Sequence, residues 1–188
     1  MDVGDKFKGF MQSFAAAVEL RARADKTGSF VESVVLTAAL IDAMLRIGLV
    51  LKHQLDTGTE GLLPELLHQG YSDQAIVERK VYTRALEASV IGQELYDELN
   101  ELYDDRNRVV HRYVISSITT SDVLAIAVRY EAAEQRVTAA VGHLEEQQVC
   151  IEVGMTRSGG PIDVAEVLEF AASKHGDPGL AQALREEK

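Results

Sequence analysis

Val31, Val34, Ala38, Ile41 and Leu45 recur at alternating steps of three and four residues, the repeat of one helix face. Leu95, Leu99, Leu102, Arg106, Val109 and Tyr113 do the same, and together they form a seam that packs against neighbouring helices. With only three prolines, no tryptophan and abundant Ala, Leu and Glu, the chain favours helices almost throughout. Long helices joined by short connections predict an all-α fold, an up-and-down bundle of about five helices.

Punctuation along the chain sets the expected boundaries. A first amphipathic helix spans about Asp5 to Arg23 and stops near Gly28. Ser29 and Glu32 read as a capping box that opens a second helix ending around Leu55. Pro64 starts a one-turn helix across Leu66 and Leu67, and Ser72 caps a third long helix from Asp73 to Ala88. After a break near Ser89 to Gly92, the fourth helix runs from Gln93 to Val114. Thr120 or Ser121 caps a fifth that reaches Gln148. Asp163 with Glu166 opens a short helix to Ala172. The reading is therefore a bundle over 1–152, then a loop, short helix and tail over 153–188.

Composition narrows the function. The formal net charge of −11 argues against a protein that tracks nucleic-acid backbones through a broad basic surface, so any RNA contact must be local. A single cysteine, Cys150, excludes an internal disulfide framework and fits a reducing cytoplasm. The N-terminal residues, with Asp2, Asp5, Lys6 and Lys8, do not read as a signal peptide. The apolar stretch Val34 to Leu51, interrupted by Thr37, Asp42 and Arg46, reads as a core helix rather than a membrane span.

Arg106 is out of place in its seam. A permanently charged guanidinium at a core position needs a carboxylate, a wet cleft or a ligand anion, because burying it unpaired costs several kcal/mol. Asn107 and His111 lie four apart and share a face beside it. Arg106 and His111 point roughly 140° apart on an ideal helix, so the expected site is a concave surface around the helix edge. Arg108 and Arg112 fall on the far side, and Asp104 and Asp105 offset the charge.

These side chains suit phosphate chemistry. Arginine donates a planar fork to phosphate oxygens, asparagine orients a hydroxyl or an imidazole, and histidine moves protons near neutrality. No acid cluster, His-Glu-x-x-His, Cys-x-x-Cys or glycine-rich phosphate loop accompanies them, so neither metal nor cofactor is expected. The set suggests metal-free RNA cleavage: the ribose 2′-hydroxyl attacks phosphorus while His111 handles a proton and Arg106 stabilises developing charge.

Arg106-Asn107-x-x-x-His111 resembles the Arg-x4–6-His signature of HEPN domains, including the polar residue that often follows the arginine. Tyr113 extends it to Arg-x4-His-x-Tyr, similar to HEPN toxins paired with minimal nucleotidyltransferase antitoxins. The resemblance covers about Asp5 to Gln148. It implies a homodimeric bundle with two motifs around one cleft. It also implies metal-independent endoribonuclease activity in a toxin–antitoxin or defence system, or else a non-catalytic module that binds a nucleotide or a protein. Asp42 is expected either to pair with Arg106, to orient His111, or to pair with Arg46 four residues on. Tyr113 either closes the apolar seam or offers a hydroxyl as a candidate modification site. His53, His68, His143 and His175 lack ligand spacing.

Overall fold

The computed structural model describes residues 2–67, 76–156 and 164–175. Among them are six helices and no strand: α1 (Val3–Thr27), α2 (Phe30–Thr57), α3 (Glu78–Glu87), α4 (Gln93–Arg112), α5 (Thr120–Ile151) and α6 (Val164–His175). The fold is an all-α helical bundle.

Its centre is α2 packed along α5. Val34, Ala38, Ile41 and Leu45 of the expected stripe are fully buried, while Val31, at the first turn, stays 42% exposed. From α5, Val123, Tyr130, Ala133 and Val137 close the same core, and each large side chain removed from water stabilises the fold by about 1.5–3 kcal/mol. Gly48 lets this region close up, since a Cβ there would lie 2.8 Å from a Val90 methyl and 3.3 Å from a Val141 methyl. By length and composition alone, α2 is apolar enough to cross a membrane, but 61% of its apolar window is buried inside the bundle. The helix α1 lies against α2 on one side and α6 on the other.

The boundaries depart from expectation in instructive places. Ser29 sits at the N-cap of α2 but makes no capping bond; its hydroxyl meets Thr27 Oγ1 at 3.0 Å. The working capping box is Thr119 with Asp122, one residue before the expected cap, because only Asp122 stands at the third helical position with an acceptor for the Thr119 N–H (2.8 Å). Leu66 and Leu67 form a hydrogen-bonded turn over Leu63 and Pro64 rather than a helix. The helix α3 starts at Glu78, not Asp73, because Val77 is extended and the Ile76 carbonyl accepts from Arg46 Nη2 (2.9 Å). Ser72, Asp73, Asp163 and the Glu166 side chain lie outside the described residues.

Two devices hold α4 in place. Its seam residues Leu95, Leu99, Leu102 and Val109 are buried, and the Tyr130 hydroxyl of α5 donates to the Leu102 carbonyl at 2.8 Å. On the flank, Arg129 bridges Glu101 (3.0 Å) and Asp105 (2.7 Å), and Arg136 bridges Glu94 (3.1 Å) and Glu98 (2.6 Å). Such exposed pairs contribute little individually, yet four in register set how α4 lies against α5.

Candidate functional site

Arg106, Asn107 and His111 all lie on α4, which is continuous through them. Arg106 faces the bundle, as its seam position requires, and meets the first turn of α3. Its Nη1 pairs with Glu78 Oε2, and the two side chains keep only 18% and 16% of their surface exposed. The other Glu78 oxygen accepts from the Tyr82 hydroxyl. Arg106 Nη2 donates to Asn107 Oδ1 at 3.2 Å, and its guanidinium lies over the Tyr103 ring, 4.7 Å from the centroid. Arg79 lies over the same ring at 4.5 Å and pairs with Asp104 at 2.6 Å. Burial alone would ease the proton off Arg106, but the Glu78 hydrogen bond and charge outweigh it and raise its pKa above the ordinary arginine value. Tyr82 is pushed well above the ordinary tyrosine value by burial and by the neighbouring Glu78 carboxylate.

Of the partners weighed for Asp42, the structure selects Arg46. Arg46 Nε donates to Asp42 Oδ2 at 2.7 Å, and its terminal nitrogens reach the carbonyls of Leu66 (3.1 Å) and Ile76 (2.9 Å). Asp42 makes no direct bond to Arg106 because Glu78 occupies that place. Burial lifts the Asp42 carboxyl above its ordinary pKa despite the pull of Arg46, and the nearby Glu78 charge adds to the rise.

His111 is exposed and opens onto a furrow of about 530 Å³ lined by Tyr103, Asn107 and His111 with Asp104, Asp105, Arg108 and Arg112. Every lining residue belongs to α4, so the expected concave cleft is one wall only. Arg108 and Arg112, expected on the far side, line it with His111, and Arg106 does not. Among the described residues, α4 alone lines this furrow.

Tyr113 does not close the seam. The helix ends at Arg112, and Tyr113 is 38% exposed, its hydroxyl 2.8 Å from Thr120 Oγ1. It borders a second cavity of about 560 Å³ with Phe30, Val31, Val35, Leu36 and Val123. Just beyond it, Val114 and Ile115 stand 92% and 81% exposed. Among the described residues, no group of three or more His, Cys, Asp or Glu side chains is placed to hold a metal ion.

Glu78 and Tyr103 are the residues that the sequence reading missed. Tyr103, three before Arg106, was legible as a helical neighbour. Glu78 lies 28 positions away and carries no local signal. No protein-family model matches the chain, and neither a curated protein nor a solved structure shows significant similarity to it.

Proposed function

We propose that this protein is a metal-independent endoribonuclease of the HEPN type, its bundle HEPN-like and its α4 carrying Arg106, Asn107 and His111. The observation that carries the reading is the linked trio itself: a tethered arginine, an amide bonded to it, and an exposed histidine one turn on, all on one continuous helix. In this reading RNA is the substrate, the site is local rather than a broad basic surface, and the protein works in the cytoplasm, as a toxin restrained by an antitoxin such as a minimal nucleotidyltransferase.

A homodimer completes the site. One copy supplies a single wall of the His111 furrow, and exposed Val110, Tyr113, Val114 and Ile115 beside it offer apolar surface for a second copy. The rival reading, a non-catalytic HEPN module that binds a nucleotide or protein, is favoured by one observation: Glu78 already neutralises Arg106.

Purified protein incubated with RNA in EDTA separates the two. Cleavage leaving 2′,3′-cyclic phosphate ends supports the nuclease. No cleavage, or cleavage that needs added manganese, rejects it. Light scattering on the same sample tests the dimer, with a monomer at micromolar concentration counting against it.

A further inference from the structure

The chemistry of its neighbour fixes the direction of the Asn107 amide. Its Oδ1 lies 3.2 Å from Arg106 Nη2. A guanidinium has only donors, so the atom facing it must be the amide oxygen, and the Nδ2 group with its two N–H donors is turned away from Arg106. Asn107 lines the furrow with His111, whereas Arg106 does not.

Arg106 is held firmly enough to impose this. Glu78 takes one terminal nitrogen, Asn107 takes the other, and the Tyr103 ring lies beneath the guanidinium. Glu78 is itself fixed by the Tyr82 hydroxyl. The chain of contacts runs from the core of α3 through Arg106 to the furrow and ends at a neutral donor.

We infer that Asn107, not Arg106, is the furrow's hydrogen-bond donor to a phosphate oxyanion, and that Arg106 is a positioning residue that sets the amide. His111 lies one turn on, close enough to share a bound phosphate group. Arg112 supplies positive charge at the rim, as does Arg108, which also lies 3.2 Å from Asp105. The opposing carboxylates there are already paired, Asp104 with Arg79 (2.6 Å) and Asp105 with Arg129 (2.7 Å). Only the identification of the anion with an RNA phosphodiester rests on the ribonuclease reading.

The test is nitrogen-15 NMR of the full chain titrated with inorganic phosphate and, separately, with a 2′-O-methylated oligoribonucleotide that cannot be cut. The expected result is a saturable shift of the Asn107 side-chain NH₂ signals together with the His111 ring, while the Arg106 Nε–H signal stays still. Tighter binding of the oligoribonucleotide assigns the site to a phosphodiester chain, and equal binding assigns it to a free phosphate group. Asn107→Asp keeps an acceptor for Arg106 and so keeps the fold, but replaces the donor with a carboxylate. Its phosphate affinity should drop at least roughly ten- to a hundredfold, the effect of losing one hydrogen bond to a charged group. Arg106→Lys removes the two-nitrogen bridge, so the Asn107 NH₂ signals should move even without phosphate. A phosphate-dependent shift at Arg106 with none at Asn107, unchanged binding by Asn107→Asp, or no binding of either probe overturns the inference. Phosphate binding at Asn107 in a protein that never cuts RNA leaves the inference standing and defeats the ribonuclease reading alone.

Discussion

Arg106→Ala should destabilise the fold, and the structure sets how much. Removing one partner of a fully buried ion pair costs about 3–5 kcal/mol, because the other charge is left uncompensated. Glu78 and Arg106 each keep about a sixth of their side-chain surface open, and Tyr82 still donates to the stranded carboxylate. Both facts soften the loss, which places it at about 2–3 kcal/mol. For a chain of this length that corresponds to a fall of about 5–10 °C in melting temperature. Thermal unfolding followed by circular dichroism reads it directly. Adding Glu78→Gln to Arg106→Ala removes the stranded charge, so the double variant should melt above the single one, with a coupling of at least about 1 kcal/mol in the double-mutant cycle. Arg106→Ala melting with the wild type, or a double variant whose losses simply add, would refute the reasoning, since either outcome means that the pair contributes nothing to the fold.

His111→Ala should leave melting temperature and oligomeric state unchanged while lowering any RNA cleavage by about 10²–10⁴-fold, the contribution of a proton-transfer group, because the ring is exposed and buries little apolar surface. Gly154→Ala should destabilise the junction after α5. Its φ of +83° disfavours any Cβ, and that Cβ would run into the Gln148 amide, which is fully buried and bonded to Gln54 at 2.9 Å and to Thr156; thermal unfolding should show a loss of about 1 kcal/mol or more. Asp122 is held below the ordinary carboxylate range by the Thr119 backbone N–H and hydroxyl. Because its pKa falls on folding, its contribution is present above the unfolded value and is lost as pH drops through the folded one. Thr119→Ala should therefore melt below the wild type at neutral pH, with the gap narrowing in acid.

Much of the helical framework was legible because helices are written locally. The stripes of α2 and α4 rest on residues three or four apart, the end of α1 and the break before α4 rest on Gly28 and Gly92, and each lies within two or three residues of its expected place. Where two local signals competed, the sequence was ambiguous. Ser29 with Glu32 and Thr119 with Asp122 both fit a capping box, and only the second forms, since the Ser29 hydroxyl meets Thr27 instead. The start of α3 was misplaced for a different reason: Arg46 draws on the Ile76 carbonyl from 30 residues away.

The sequence by itself determined that Arg106 cannot sit unpaired in its seam and that Asn107 and His111 share a helix face, because burial cost and helical pitch need no further context. Tertiary structure alone decided that the counter-charge is Glu78 rather than Asp42, and that Arg106 turns its back on the furrow where Asn107 and His111 open. The physical reason is distance along the chain. Asp42 is committed to Arg46 within its own helix, whereas Glu78 reaches Arg106 only because α3 packs beside α4, a pairing set by the whole core rather than by any stretch of residues.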